Sequence, residues 1–327
     1  MPIGIDAMGG DHAPEEIVKG ALGVLEEIDD TLWLYGDERQ LRPLVGNAPV
    51  VIVPCTQIVL GDDAPVEAIR NKKDSPLVRG MRDLKEGKIS GFVSAGNTGA
   101  LLAAGTLIAG RIKGIARPCI TTVYPTRKGM SLICDAGANA DCTPVHLRDF
   151  GLMSSLYAKE VLGIENPGVG IVNIGEEQGK GNELVRAAYP LFEEANFRFV
   201  GSVEGRELPE GAADVYVTDG FTGNVIIKLT EGMASTLLGE VKEAMMASVL
   251  SKLGALMIKG ELKRVLKKMD YREYGGAPLL GLKGCVVKAH GSSDARAFSN
   301  ALRYLKKYID SSMVEKIAEE LGTEKRI

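Results

Sequence analysis

Several protein classes are excluded by what the sequence has little of. Aromatic side chains make up only 5% of the 327 residues, and the five cysteines are scattered without a C-x-x-C pair. An odd number of isolated cysteines is typical of reduced thiols rather than of a disulfide framework. No apolar run reaches the ~20 uncharged residues that a bilayer span needs, and the first six residues show no basic region before an apolar stretch. We therefore expect a cytoplasmic protein without a secretory signal.

Charge and histidine content exclude two further classes. The formal net charge is −4 and the chain has three histidines, whereas bulk nucleic-acid binding calls for a markedly basic domain. Cys134, Cys142 and His146 come nearest to a set of metal ligands, but their spacing matches no zinc pattern. We therefore expect no nucleic acid, no metal and no cofactor, and we expect small molecules or proteins as partners.

Glycine and short apolar runs are what the sequence has in plenty. Forty glycines and 45% hydrophobic residues are typical of an α/β enzyme with many strand-to-helix turns. Strand patterns at 2–5, 32–37 and 50–53 alternate with helical patterns at 14–27 and 67–82. This alternation predicts βα units and a mostly parallel sheet, in one large α/β unit or in two lobes.

The sequence is organised around residues 91–104, which have the pattern of a buried strand, a tight glycine turn and the start of a helix. The glycines let the backbone approach a ligand closely, and Asn97 and Thr98 are capping residue types. Free N–H groups at a helix start favour an anion, although an ordinary strand-to-helix turn has the same outline. The arrangement recurs at 215–228. Because the carboxyl ends of parallel strands share an edge, the two turns predict a single crevice.

A further strand pattern, at 168–175, is followed by a polar loop in which Lys180 can meet an anion. The loop is only superficially similar to nucleotide-binding motifs. Gly175 and Gly179 enclose three residues rather than the four of a P-loop, and the glycine pattern of dinucleotide-binding folds also fails here. The sequence therefore argues against a kinase, an ATPase and an ordinary dehydrogenase.

The last chemical motif, at 285–296, is another strand followed by a polar turn and an amphipathic helix. His290 can donate or accept a proton, and the hydroxyls of Ser292 and Ser293 can hold phosphate oxygens together with helix N–H groups. Alternatively, Ser293 or Asp294 is a helix N-cap and His290 is a hydrogen-bonded structural residue. No G-x-S-x-G elbow is present, which argues against a serine hydrolase.

Residues 229–270 have long helical patterns that carry more apolar side chains than solvated helices need. They predict a helical protrusion at about 229–273. One interpretation is a helical hairpin buried at a dimer interface or against the core. The other is a protrusion that touches an anionic membrane surface or an acidic carrier protein. The candidate contact residues are Leu253, Leu256, Met257, Lys263, Arg264 and Lys267.

Four short blocks, at 6–11, 94–100, 218–224 and 288–294, together carry a family resemblance. In this order they resemble the bacterial phosphate acyltransferases of the PlsX type, almost from end to end. The resemblance implies transfer of a long acyl chain from acyl carrier protein to inorganic phosphate. The product would be the acyl phosphate that a membrane acyltransferase uses to acylate glycerol 3-phosphate. It also implies an α/β/α layered fold similar to phosphotransacetylases and isopropylmalate dehydrogenases, a homodimer, and peripheral association with the cell membrane.

Motif position suggests roles within that chemistry. Phosphate is its own nucleophile, so the protein has to orient it, align a thioester and stabilise an oxyanion. We expect His290 to be the oxyanion donor or the group that protonates the departing thiolate, with Lys180 at the phosphate and Asp219 and Asn224 completing the crevice. The candidate phosphate and substrate contacts are Asp6, Gly9, Gly10, Asn97, Thr98, Gly99, Asn182, Thr222, Gly223, Ser292 and Ser293. Two other functions stay open: a phosphotransacetylase-like transfer between an acyl-coenzyme A and phosphate, and a non-catalytic membrane-associated scaffold.

Overall fold

A single sheet of eleven strands runs through the part of the chain that the structure describes. The computed structural model describes residues 1–177, 179–269 and 275–323. The strands are β1 (Ile3–Asp6), β2 (Leu32–Gly36), β3 (Val51–Pro54), β4 (Gly91–Ser94), β5 (Cys119–Thr126), β6 (Gly129–Cys134), β7 (Gly168–Asn173), β8 (Arg198–Glu204), β9 (Val215–Val217), β10 (Ala277–Leu280) and β11 (Cys285–Lys288). The helices are α1 (Glu15–Leu22), α2 (Glu38–Val45), α3 (Pro65–Asn71), α4 (Pro76–Lys85), α5 (Thr98–Ala104), α6 (Pro144–Glu160), α7 (Glu183–Glu193), α8 (Gly220–Met246), α9 (Val249–Met269), α10 (Ala295–Asp310) and α11 (Met313–Thr323).

The strands lie in the order β3-β2-β1-β4-β11-β10-β5-β6-β9-β7-β8. Neighbours from β3 to β11 pair in parallel, and so do neighbours from β6 to β8. Among the strands named above, which lie in the described ranges, pairing is antiparallel only where β10 and β5 join the two halves. The prediction of a mostly parallel sheet is confirmed.

Helices cover both faces of this sheet, because successive side chains of a strand point to opposite faces. In β4, Val93 joins the core cluster that also holds residues of α1, α6, α10 and α11. Its neighbour Phe92 joins a second cluster with residues of α3, α4 and α5. The predicted α/β/α layering is therefore confirmed.

Two predicted helices have different bounds in the structure. The pattern at 14–27 gives only the short helix α1, which ends at Leu22. The pattern at 67–82 gives two helices, α3 and α4, rather than one. Ser75 caps α4 through the N–H of Val78, and Pro76 takes the first helical position. A proline at that position disfavours helical backbone in the residue before it, which explains the break.

The prediction that the ligand-binding turns share one edge of the sheet is wrong. Because β10 and β5 reverse the strand direction, β6, β9 and β7 run opposite to β1, β4 and β11. The sequence analysis missed β10, which is four residues long and contains Pro278. Proline is depleted in strands, so its segment lacks the usual strand signal.

The predicted helical protrusion falls on α8 and α9; α8 itself begins at Gly220, and its first turn packs against the turn after β6. The predicted last residues of the protrusion, 270–273, lie outside the described residues. Leu253, Leu256 and Met257 are 56%, 67% and 87% exposed, so the interpretation that α9 packs against the protein's own core is wrong. A search of the described helices found no segment long and apolar enough to cross a membrane.

Candidate active site

Three turns, after β1, β4 and β11, are held together from below by a buried carboxylate. Asp6 ends β1, and its Oδ2 accepts a hydrogen bond from Ser94 Oγ at 2.7 Å. Ser94 Oγ in turn accepts the backbone N–H of Gly96 at 3.0 Å. Burial raises the pKa of the Asp6 carboxyl above its usual value, although the Ser94 hydrogen bond opposes this. Gly9 and Gly10 complete the β1 turn and lie against the β4 turn.

Lys288, the last residue of β11, ties the third turn to the other two. Its Nζ donates to the carbonyl of Ala95 at 3.1 Å and also to the carbonyl of Ala289. Burial lowers the pKa of Lys288 from 10.5 to about 8, although the carboxylates of Asp6 and Asp11 oppose the shift. The ammonium group of Lys288 therefore fixes the β4 turn, at the edge of the sheet where β1, β4 and β11 end.

His290 stands at the surface of this cluster as a neutral ring. Its Nδ1 accepts the backbone N–H of Ser292 at 3.2 Å and lies 2.8 Å from Ser292 Oγ. Because Nδ1 is an acceptor, the neutral ring carries its proton on Nε2. Partial burial and the cation of Lys228 lower the pKa of His290 below its usual 6.5. Of the two predicted roles, this geometry favours a hydrogen-bond donor over an acid.

The start of α10, where the sequence predicts phosphate contacts, already holds two carboxylates. Asp294 caps the helix by accepting an N–H of the first turn at 2.8 Å. Glu16 of α1 accepts the N–H of Ala295 at 2.7 Å. The capping role of Asp294 is thus confirmed, and a further anion at these N–H groups would meet repulsion. Ser293 is buried, whereas Ser292 is exposed beside His290.

Asn97 caps α5 as predicted, but both polar atoms of its side chain make hydrogen bonds within the protein. Oδ1 accepts the N–H of Ala100 at 2.9 Å. Nδ2 donates to three carbonyls of the loop before α3, at 3.0 to 3.2 Å. Thr98 is exposed and Gly99 lines a cleft, so these two residues, rather than the Asn97 amide, face a ligand at this turn.

A second group of turns, after β6 and β9, also surrounds a buried carboxylate. Asp135 accepts three backbone N–H groups at 2.7 to 3.0 Å and Nδ2 of Asn139 at 2.8 Å. Asp219 caps α8 by accepting the N–H and the hydroxyl of Thr222 at 2.8 and 2.9 Å. At Gly223 a Cβ would lie 1.9 Å from the carbonyl oxygen of Asp135. Asp219, Thr222 and Gly223 therefore fix the start of α8 against the β6 turn.

Helix α8 links the two groups of turns. Asn224 borders the turn after β6, and Lys228, one helical turn further, lies near enough to His290 to lower its pKa. A cleft of about 540 Å³ is lined by both Gly99 and Asn139, which belong to different groups.

Lys180 and Asn182 stay within their own loop. Lys180 is exposed, and its backbone carbonyl accepts Nδ2 of Asn173 at 3.2 Å. Asn182 caps α7 by accepting the N–H of Val185 at 2.9 Å. Within the described ranges, no hydrogen bond or ion pair joins either residue to the turns around His290. The structure separates them because β7 lies beyond β9 in the sheet.

Sequence reasoning missed several residues that shape the crevice. Ser94 and Lys288 lie inside two of the four family blocks, and Asp135 directly follows β6. The signal that could have found them is a charged or hydroxyl side chain at the last position of a buried strand or directly after it. Arg111 and Arg117, which line the cleft, lie between elements and gave no pattern. Among the described residues, no group of three His, Cys, Asp or Glu side chains could hold a metal ion.

Comparison with known proteins agrees with this architecture. A sequence model of the family "Fatty acid synthesis protein" matches residues 1–316. A phosphate acyltransferase of Alkaliphilus oremlandii is 50% identical over 99% of this chain and 98% of its own length. One of Desulfitobacterium hafniense is also 50% identical, over 98% of each chain. Among solved structures, a phosphotransacetylase from Streptococcus pyogenes has a TM-score of 0.61 at 16% identity, covering 96% of this chain and 94% of its own. A branched-chain phosphotransacylase from Enterococcus faecalis has a TM-score of 0.59 at 15% identity, covering 94% and 99%.

The two solved structures show the fold, and the predicted likeness to phosphotransacetylases is confirmed. The half-identical relatives cover nearly the whole chain and confirm the resemblance on which the sequence analysis relied. The chain belongs to the Fatty acid synthesis protein family, of the PlsX type, and is an enzyme that transfers acyl groups to phosphate.

Proposed function

We propose that the enzyme transfers a long-chain fatty acyl group from acyl carrier protein to inorganic phosphate. The acyl phosphate would then pass to a glycerol-3-phosphate acyltransferase in the membrane. The observation that carries the site assignment is the hydrogen bond from the backbone N–H of Ser292 to Nδ1 of His290, because a neutral ring held in this way carries its proton on Nε2. The whole-chain likeness to phosphate acyltransferases supports phosphate as the acceptor.

The balanced reaction needs no acid from the protein. An oxygen of monohydrogen phosphate attacks the thioester carbonyl, the carbon–sulfur bond breaks, and the departing thiolate takes the proton that the phosphate brought. What the protein supplies is orientation and a stabilised oxyanion. We place the Nε2–H of His290 at that oxyanion, because a neutral imidazole donates a hydrogen bond without giving up its proton.

The phosphate itself needs positive charge and donors near the β4 turn. Lys228 on α8 is exposed, and its charge is one cause of the lowered pKa of His290, which supports a place for Lys228 at the crevice. Thr98 and Ser292 present hydroxyls at the surface of the two adjacent turns. We propose that these three side chains bind the phosphate, with Asn224 at the far side of the crevice.

We further propose a homodimer formed along α8. This helix exposes an apolar stripe at every fourth residue, and each of its side chains is between 42% and 63% exposed. The stripe consists of Val225, Leu229, Met233, Leu237 and Val241. A continuous apolar face on a long helix is typical of a helix–helix interface, so a second copy of α8 is the partner we expect.

Peripheral contact with the cell membrane, or with the carrier protein, is proposed for α9. Leu253, Leu256 and Met257 are exposed on this helix, and the side chains of Lys263 and Arg264 are exposed as well. An apolar surface next to cations suits an anionic lipid surface or an acidic protein. The side chain of Lys267, also predicted here, lies outside what the structure describes.

Comparing two donors tests the proposed reaction. Phosphate-dependent release of thiol is measured with palmitoyl-acyl carrier protein and, in parallel, with palmitoyl-coenzyme A. Faster release from the carrier protein, with acyl phosphate formed, is the expected result. Preference for coenzyme A would indicate a phosphotransacetylase-like enzyme, and no turnover of either donor would leave only the scaffold interpretation.

A further inference from the structure

The cleft beside α5 has a mixed lining of small, apolar and uncharged polar residues. Its volume of about 540 Å³ falls within the range of small-molecule sites, roughly 300–1,000 Å³. Beyond α5 the wall continues along the π-helical turn Gly105–Ala109. The uncharged lining residues are Pro65, Val66, Gly99, Leu102, Ala103, Thr106, Leu107, Ala116, Pro118, Ala138 and Asn139. A flexible ligand that has both apolar and hydrogen-bonding groups suits this mixed lining.

Two arginines stand where this wall ends. Arg111 and Arg117 both line the cleft, and no carboxylate is among the described residues that line it. Arg111 donates to the carbonyl of Ala116, and Arg117 donates to Oδ1 of Asn139 at 3.5 Å. Two guanidinium groups with only uncharged acceptors favour an anion, and their planar forks suit phosphate oxygens.

The backbone around these arginines is fixed, and both exposed side chains line the cleft. Arg111 forms a β-bridge with Leu282, and hydrogen bonds on both sides of the bridge continue the pairing. Arg117 precedes Pro118, whose carbonyl accepts Nδ2 of Asn139 at 2.9 Å. Asn139 in turn is held by the buried Asp135 network described above.

The other end of the cleft is Gly99, at the turn beside the proposed catalytic crevice. From Gly99 to Leu107 the helical wall rises about 12 Å, at 1.5 Å per residue. The cleft therefore has the two arginines toward one end and the β4 turn, which borders the proposed reacting centre, at the other. A donor that fits it carries its acyl thioester at one end of a thin chain and a phosphate at the other.

We infer that this cleft binds the 4′-phosphopantetheine arm of the acyl donor, with the arm's phosphate on Arg111 and Arg117. The thioester then lies at the Gly99 end. This inference rests on the proposed function, because both carrier protein and coenzyme A present their acyl groups on such an arm. It assigns donor recognition to a surface distinct from the turns that hold the inorganic phosphate.

Two small donors test the assignment without the carrier protein. S-octanoyl-4′-phosphopantetheine has the arm's phosphate, and S-octanoyl-pantetheine lacks it. Wild type should turn over the phosphorylated donor with a kcat/KM about ten- to a hundredfold higher, the gain of charge-assisted hydrogen bonds. The double variant Arg111→Gln, Arg117→Gln should bring that ratio close to one. Lys113→Gln, which removes an exposed charge outside the lining, should keep the wild-type ratio.

A second measurement uses the wild-type enzyme alone. Free 4′-phosphopantetheine should inhibit turnover of palmitoyl-acyl carrier protein at a concentration at least about tenfold lower than pantetheine does. Equal inhibition, or a donor ratio near one in wild type, overturns the assignment while leaving the proposed function intact. A ratio that persists in the double variant also overturns it, and so does a change of oligomeric state in that variant, which would make the cleft a subunit contact. Failure of the proposed function has a different signature, because acyl carrier protein itself would then not be turned over.

Discussion

Replacing His290 by alanine should lower kcat by about 10²- to 10³-fold, the usual cost of losing one oxyanion donor, or about 2.7–4 kcal/mol of transition-state stabilisation. The ring is held by the backbone N–H of Ser292 on Nδ1, so its Nε2 proton points in a fixed direction. The assay is release of carrier thiol from palmitoyl-acyl carrier protein at saturating phosphate. KM should change much less than kcat, because the oxyanion exists only in the transition state.

Two controls separate a donor from an acid at this position. His290→Gln keeps a side-chain N–H donor and should recover part of the lost rate, whereas an acid cannot be replaced by an amide. Because burial lowers the pKa of His290 below its usual value, raising the pH above 6.5 favours the neutral ring still further, so the wild-type rate should show no fall from this group between pH 6.5 and 7.5. A catalytic imidazolium would instead lose about tenfold per pH unit above its pKa.

The role of His290 as oxyanion donor is refuted if His290→Ala keeps kcat within a few-fold of wild type. A rate that falls steadily over that pH range and is not restored by glutamine would contradict the donor role as well. In that case the ring is one of the hydrogen-bonded structural residues that the sequence also allowed.

Three further predictions concern the scaffold around the site. Lys288→Met should lower the free energy of unfolding. The difference from wild type should grow as pH rises from about 8 to 10.5, because in that window the unfolded wild-type chain binds a proton that the folded chain has released. Urea titrations across this pH range measure the difference. Gly223→Ala should destabilise the protein by about 1–3 kcal/mol through overpacking. Gly260→Ala, at an open position of α9, should stabilise it by roughly 0.5–1 kcal/mol. Thermal or urea unfolding of both variants measures these changes, and equal effects would contradict the prediction. Leu229→Ser with Met233→Ser should shift sedimentation toward the monomer, and an unchanged dimer would place the interface elsewhere.

Much of the fold was predictable because its strands are short apolar runs that end in polar turns. The strand patterns at 2–5, 32–37, 50–53 and 168–175 match β1, β2, β3 and β7 closely. The direction of the second half of the sheet was not predictable in the same way. It depends on β10, a four-residue strand with a proline, and on its insertion between β11 and β5, which are contacts between residues far apart in sequence.

The turns were predicted, but whether their side chains cap helices or bind a ligand was not. Asn97, Asp219 and Asn182 were candidates for ligand binding because capping residue types are also anion-binding types, and the structure engages all three as N-caps. A sequence cannot separate these two uses, since both place the same side chain at a helix start. Lys288 shows the converse, because its contact with Ala95 depends on the pairing of β11 with β4.

The most direct test of the central claim, that phosphate attacks the donor without an acyl-enzyme, is a rapid-mixing experiment. Enzyme and palmitoyl-acyl carrier protein are combined in equal amounts, first without phosphate and then with it, while free thiol and acyl phosphate are followed together. We predict no thiol release until phosphate is added, and then one acyl phosphate for each thiol. A burst of thiol in the absence of phosphate would mean that a side chain takes up the acyl group, and it would contradict the mechanism proposed for His290 and the crevice.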